Sequence, residues 1–416
     1  MKRWVLFFGM LGLGMASAEA VDSRYREFII GERASGMGGA AVAIAQSVDA
    51  IYYNPAGLAL TGRDSLSLSA NLYGFEQYKI SSGLFPGDDL RSDSFVTIPS
   101  AMGGVKMLSD EWAGGFGVFA PDTSKMSVIT AKENGTHLYD YATDDQTMWI
   151  GPTIAWHPEN GPWSLGLSVF GVYRSCQSSL NIFHEESGTF SEAYNFNDVG
   201  LAALFGVQRD LGEGWRAGAT LRTPSLHLFG NGKNSLHSVV PDGSGGFYTD
   251  DVDTDNRQAL QVSLGLGRCV PGKYAFAVDL LYHPATGYEL LEWDFQGQTL
   301  GNSVHRDAVV DVSVGAEVYV AENYPFRFGF YTAFSSATVP DDPVSDEIAT
   351  SEIDLYGFTI SIGRETDMMA VNLGINYAFG SGDDISYSAK GDEIVQESGS
   401  ARGDVILCSV STSYFF

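Results

Sequence analysis

From about Asp64 to Phe416 the chain alternates apolar and polar side chains at every second position, in one segment after another. Ser65–Tyr73, Trp163–Tyr173, Tyr274–Tyr282 and Ala308–Val320 all do so. The last segment puts Ile406, Cys408, Val410, Thr412, Tyr414 and Phe416 on one face. Period two is the signature of a β-strand whose two faces meet different surroundings. Short polar connections lie near Ser109–Glu111, Pro158–Pro162, Leu211–Gly214, Val270–Lys273, Glu322–Pro325 and Arg364–Asp367. Long ones lie near Ser81–Ser94, Asp122–Asp145, Asn181–Phe196, Gly230–Asn256, Pro284–His305, Ser336–Ser351 and Gly380–Arg402. The two kinds alternate throughout, which makes about fourteen strands. In hydrocarbon every backbone N–H and C=O needs an internal partner, so a spanning sheet must close on itself. An even strand number, tight turns at one end and long loops at the other predict an all-β, transmembrane antiparallel β-barrel.

The first residues predict export. Lys2 and Arg3 precede an apolar run from Trp4 to Leu13, followed by the small-residue sites Ala16-Ser17-Ala18 and Ala18-Glu19-Ala20. That order is a cleavable signal peptide over residues 1–20, too short in its apolar core to span a bilayer as a helix. No later apolar run approaches helical spanning length, so the Gram-negative outer membrane is the expected address, with both termini on the periplasmic side. Trp112, Trp163, Trp215, Tyr173, Tyr282 and Tyr414 fall near predicted strand ends, where aromatic girdles belong. A net charge of −27 sets nucleic acid aside as a partner. Cys176, Cys269 and Cys408 are too scattered for a disulfide framework or a zinc site. The acid excess sits largely in the long connections, as Asp88-Asp89, Asp144-Asp145, Asp250 to Asp255, Asp341-Asp342 and Asp383-Asp384. Such runs offer oxygen ligands to calcium, but none has the spacing of a calcium loop, so solvated outer-surface charge is the better reading.

Between signal and first strand the chain changes character. Residues 21–62 are rich in Gly and Ala, and nearly uncharged after Arg33. They read as a plug, or hatch, inside the lumen of a barrel that occupies residues 63–416. Gly36-x-Gly38-x-x-Ala41 matches a dinucleotide fingerprint in letters only, because no βαβ unit surrounds it. Elsewhere no nucleophile elbow, metalloprotease helix or phosphate loop appears, the seven histidines follow no metal-ligand spacing, and the chain does not read as an enzyme or as needing a cofactor.

Ala34-Ser-Gly-Met-Gly-Gly-Ala40 followed by Asn54-Pro55-Ala56-Gly57 resembles the N-terminal hatch of the FadL/TodX family of outer-membrane transporters for long-chain fatty acids and hydrocarbons. Phe326–Phe330, Thr338–Asp342, Gly357–Gly363 and Leu373–Gly380 add to the likeness. The resemblance implies a fourteen-stranded barrel whose hatch blocks the lumen, with Gly36, Gly38, Gly39, Asn54, Pro55, Ala56 and Gly57 as the matching hatch positions. It further implies capture of a hydrophobic small molecule between outer loops and sideways release into the membrane, with outer-membrane lipid as the surrounding partner. Gly114, Gly115 and Gly117 on the third strand have the flexibility a lateral gap needs; glycines merely relieving crowding is the other reading. Arg174, Arg216 and Arg222 are the candidate lumenal cations, and the lack of an obvious cationic cluster favours an uncharged hydrocarbon over a fatty acid. Two other functions fit a barrel of this kind: a ligand-free protein serving a secretion or assembly machine, and a porin for polar solutes.

Overall fold

Alternation does close the sheet. The computed structural model describes residues 23–26, 28–85, 88–131, 137–184, 188–239, 245–295, 298–337, 351–390 and 393–416. The proposed signal peptide lies outside them, as do Thr338–Asp342. Fourteen barrel strands follow one another in order: β1 (Ser65–Phe85), β2 (Asp88–Met107), β3 (Trp112–Ala131), β4 (His137–Trp156), β5 (Trp163–His184) and β6 (Gly188–Gly212) run unbroken. Each of the next four is in two pieces: β7 (Trp215–Arg222, Leu226–Val239), β8 (Gly245–Thr254, Gln261–Val270), β9 (Tyr274–His283, Thr286–Phe295) and β10 (Gln298–Arg306, Val309–Ala321). Then come β11 (Tyr324–Ala333), β12 (Glu352–Glu365), β13 (Met369–Lys390) and β14 (Glu393–Phe415). All neighbours are antiparallel, and β1 pairs with β14 from Ser65↔Phe415 to Ile80↔Ala401, which closes the barrel and leaves no free edge there.

The strand faces differ as hydrocarbon and lumen require. On β12 exposure alternates at every residue: Tyr356, Phe358, Ile360 and Ile362 point out, while Ile353, Leu355, Thr359 and Ser361 are buried inward. Trp112, Trp163, Tyr173, Tyr282 and Tyr414 are exposed on the outer surface, where a girdle would meet headgroups. No described helix is long and apolar enough to cross a membrane. The short connections are turns, as at residues 322–323, where Asn323 takes a φ of 66° in a two-residue reversal.

The long connections differ from expectation. Much of what reads as loop is strand: β1 and β2 run to Phe85 and from Asp88, and β6 is 25 residues long. Crossing needs only about 9–11 tilted residues, so these hairpins project well past the hydrocarbon. Outside it both faces can be polar, and the alternation that marks a spanning strand disappears although the backbone ladder continues.

The N-terminal segment from Phe28 to Asp64 lies against the inner face of this wall. Ala34–Met37 is a turn of 3-10 helix, Ser47–Tyr53 is the one described α-helix (α1), and Pro55–Leu60 is a second 3-10 helix. Asn54 separates the last two. It leaves helical geometry at φ −158°, and its side-chain oxygen accepts the N–H of Ala56 at 3.2 Å, with Pro55 in the first turn where no N–H is needed. Ser23, the first described residue, is fully buried beside Ser336, whose N–H and hydroxyl both donate to the Ser23 carbonyl. Phe416 lies at the short-turn end, its N–H bonded to the carbonyl of Asp64.

Candidate functional site

Small residues let the N-terminal segment sit against the wall. A β-carbon on Gly166 of β5 would collide with Pro55 and Ala56, one on Gly206 of β6 with Asn54 and Pro55, and one on Gly218 of β7 with Val42. On the far side Gly315 and Gly329 meet Met37 and Gly38 in the same way. Gly38 itself takes a φ of +62° and lies against the Phe330 backbone, so it needs both the left-handed conformation and the missing side chain. These contacts account for Gly36, Gly38, Gly39, Asn54, Pro55, Ala56 and Gly57 as a set: all but Gly39 pack against wall residues or one another, and Gly39 faces Ile29 and Arg26.

Polar anchors fix the position. Asn54 donates to the carbonyl of Val42 at 2.7 Å and to that of Val207 on β6 at 3.1 Å. The Asp49 carboxylate accepts the N–H groups of Glu32, Arg33 and Ala34 at 2.9, 3.0 and 3.1 Å. Burial pushes the Asp49 carboxyl upward in pKa, against these three bonds. Asp279 on β9 accepts the N–H groups of Ala41 and Val42 at 2.6 and 2.8 Å, and Thr359 on β12 bonds Gly36 and Gly38. Asp49 and Asp279 escaped the sequence reading. For Asp279 a signal existed, an acid at an inward position of the apolar run Tyr274–Tyr282.

Toward the long-connection end the lumen above α1 is aromatic. Tyr52 packs on Phe119 and Trp149 with ring centroids 5.3 and 6.0 Å apart, and Phe170 closes on Trp149 at 5.4 Å. Phe119, Trp149 and Phe170 are all buried. A cavity of about 370 Å³ lies elsewhere, at the short-turn end, lined by Glu32, Arg33, Glu317, Arg327 and Glu365 among others. Arg327 is fully buried there and bridges Glu317 and Glu365, both at 2.6 Å. Such a charged space suits water better than an apolar ligand, so the packed aromatic cluster is the candidate site.

An end of the β2–β3 ladder adjoins that cluster. β2 and β3 pair from Met107↔Ala113 to Ala101↔Phe119, and among the described residues their ladder goes no further. Continued in register, the next positions would set Pro99 opposite Pro121, two residues with no N–H to donate. On its other side β3 carries a bulge over Ala120-Pro121, between Phe119↔Trp149 and Asp122↔Thr147, which bends the strand. Phe119 is thus both the last residue of β3 paired with β2 and a member of the aromatic cluster. Gly114, Gly115 and Gly117 are on this strand but inside the paired stretch, opposite Lys106, Val105 and Gly103. A β-carbon on Gly115 would touch Ile51 and Leu58, and one on Gly117 the Phe119 ring and Ile51, while Gly114 faces Leu108 outside.

The three arginines part company. Arg174 is buried but already held, by Asp145 at 2.6 Å and Asn256 at 2.8 Å. Asp145, read as solvated surface charge, is therefore an inward ion-pair partner; alternation of β4 turns it away from its neighbour Asp144, which pairs with Lys125 at 3.2 Å. Arg216 is half-buried near the short turns. Arg222 is buried in the lumen, its guanidinium 4.8 Å from the Trp149 ring. Among the described residues no three His, Cys, Asp or Glu side chains gather as metal ligands.

No family model matches the sequence, and no curated protein does. Solved structures do. A TodX deltaS2S3 mutant monoaromatic hydrocarbon channel superposes with a TM-score of 0.71 at 16% identity, over 92% of this chain and 98% of that one. The chain has their fold. A Pseudomonas aeruginosa FadL homologue gives 0.71 at 12% identity, over 93% and 99%. The Ralstonia pickettii toluene transporter TbuX gives 0.62 at 14%, over 93% and 98%. The FadL-type barrel thus accounts for nearly the whole length of this chain and of those channels.

Proposed function

We propose that the chain is a FadL-type passive transporter of hydrophobic small molecules in the outer membrane. Residues 21–62 act as a hatch that seals the lumen from the short-turn, periplasmic side, where Phe416 also lies. A long-chain fatty acid or hydrocarbon enters between the outer hairpins and lodges against Tyr52, Phe119, Trp149 and Phe170. It leaves sideways between β2 and β3. The observation that carries this reading is the β2–β3 ladder end at Ala101 and Phe119, just short of Pro99 and Pro121, beside the aromatic cluster above the N-terminal segment. Apolar burial drives entry, and the bilayer outside is as apolar as that cluster, so the step outward needs no energy source. Without the ladder, backbone groups of residues 93–98 and 122–127 can part at the cost of few hydrogen bonds.

The test is a cross-link over the opening. Ser94 and Met126 fall opposite one another in the extrapolated register and both border a space of about 60 Å³ behind the unpaired stretch. Cysteines at these two positions, with Cys408 replaced by Ser, are expected to block uptake of a labelled long-chain fatty acid or toluene when bridged by a short bis-thiol reagent. A cleavable bridge should restore uptake on reduction. Undiminished uptake through the bridged protein would rule out this exit.

A further inference from the structure

A small space lies beside the aromatic cluster, lined by the N-terminal segment and by β6 to β10. Its volume is about 40 Å³, against the 10–15 Å³ a single water needs. Tyr25, Arg26, Phe28, Tyr52 and Tyr53 line it from the segment, Arg222 and His283 from β7 and β9, and Asp311 from β10. Its polar lining is deeply buried, with Arg222 at 7% exposure and His283 at 2%. Both nitrogens of His283 and Nε of Arg222 find no hydrogen-bond partner, nor does Nη2 of Arg26. Buried polar atoms are almost always satisfied, and leaving one unmade costs about 1–3 kcal/mol. Four such atoms about one cavity mark a place for an oxygen-bearing group.

The charges decide which group. Arg26 already faces Asp311 and Asp279, and Arg222 faces Asp122, so the guanidiniums are matched by carboxylates of the wall. An added carboxylate would arrive without an uncompensated cation and would lie beside Asp311. A neutral hydroxyl suits the groups present: a neutral imidazole accepts its proton at one nitrogen, while a guanidinium N–H donates to its oxygen. The rest of the lining is aromatic, with the Tyr25 ring stacked on His283 at 4.0 Å and Tyr52 and Tyr53 edge-to-face at 5.2 Å. Rings of this kind favour a ligand ring over a flexible alkyl chain.

We infer that the Arg26–Arg222–His283 cavity is a subsite for the hydroxyl of a neutral phenol, which makes hydroxylated monoaromatics preferred ligands of this chain over the corresponding hydrocarbons. The inference rests on the transport reading above and narrows it. One hydrogen bond made in place of an unsatisfied pair predicts about a tenfold preference.

Calorimetric titration of the full-length purified protein with 4-ethylphenol, ethylbenzene and 4-ethylbenzoate, each corrected for partition into empty micelles, tests it. The phenol is expected to bind about tenfold tighter than ethylbenzene, with the benzoate weakest. His283→Phe should abolish that preference and leave ethylbenzene within about twofold of its former affinity. His283→Gln, which keeps a donor and an acceptor, should retain part of it. Equal affinities for the phenol and ethylbenzene, or tightest binding of the benzoate, would overturn the subsite while leaving an apolar ligand site in place. If none of the three bound while a labelled long-chain fatty acid did, the subsite would fall and the transport reading would stand; if the fatty acid failed to bind as well, both would fall.

Discussion

Asn54 shows how one side chain can hold an interior segment. It ends α1, caps the 3-10 turn after it, and donates to carbonyls on the segment and on β6. Asn54→Ala takes a donor from the Val207 carbonyl and leaves the Val42 carbonyl with the Gln208 amide alone, at 3.2 Å. About 1–3 kcal/mol of docking is the expected loss, the cost of one unsatisfied buried group. Hydrogen exchange of residues 34–60 should accelerate while exchange in β11 to β14 stays unchanged. Glu32 makes docking depend on pH. It receives the Asn372 amide at 3.0 Å and the Ser413 hydroxyl, yet burial, reinforced by the nearby Asp49 charge, raises its pKa from 4.5 to about 7. A group that holds its proton more tightly when docked stabilises docking at low pH. That contribution is complete below about pH 4.5 and is lost as pH rises to about 7. The segment should therefore exchange faster at pH 8 than at pH 5.5 after correction for intrinsic rates, and Glu32→Gln should flatten the difference.

At the scale of the element, β3 combines two roles that ordinary strands keep apart. From Ala113 to Phe119 it pairs on both sides and backs the N-terminal segment; from Ala120 onward, among the described residues, its β2 edge is unpaired. The cause is chemical, two prolines set to face each other across one register line. Pro99→Val with Pro121→Val returns both N–H donors, and the ladder is expected to extend toward Ser92, whose hydroxyl already bonds the Ser127 carbonyl at 3.4 Å. Uptake should fall while thermal stability rises, and an unchanged uptake rate would place the exit elsewhere. Across the barrel, β7 to β10 are interrupted along another line, at 223–225, 255–260, 284–285 and 307–308. There Pro224 and Pro284 interrupt the donors, and among the described residues the outer piece of β9 pairs with β8 at Leu291↔Thr254 and Glu292↔Asp253. The buried Arg174–Asp145 pair lies above this line, and removing one partner strands the other charge. Arg174→Ala is expected to cost about 3–5 kcal/mol in unfolding stability.

For the whole molecule, the wall and the interior segment have separable stabilities. The wall is a backbone ladder closed between β1 and β14, whereas the segment is held by side-chain anchors and glycine contacts. Deletion of residues 23–60 should leave a barrel that still migrates as a folded, heat-modifiable species, and should raise its conductance in planar bilayers from near zero to that of an open pore. A deletion variant that stays closed would remove the hatch from the mechanism.

Strand number, the hydrocarbon-facing surface and the antiparallel order are determined by the sequence alone, because alternation and turn residues are local and repeat every few positions. The Gly/Ala-rich N-terminus and its Asn54-Pro55-Ala56-Gly57 run were legible for the same reason: capping and close approach leave marks in residue type. Which inward residues meet was decided only by the closed barrel. Nothing local pairs Pro99 with Pro121, brings His283 to Arg222, or separates Asp145 from Asp144 by face; each follows from registers set once the sheet curls and closes. The outer hairpins were read as loops because strands leaving hydrocarbon lose their alternation while the backbone ladder, which is blind to side-chain polarity, continues.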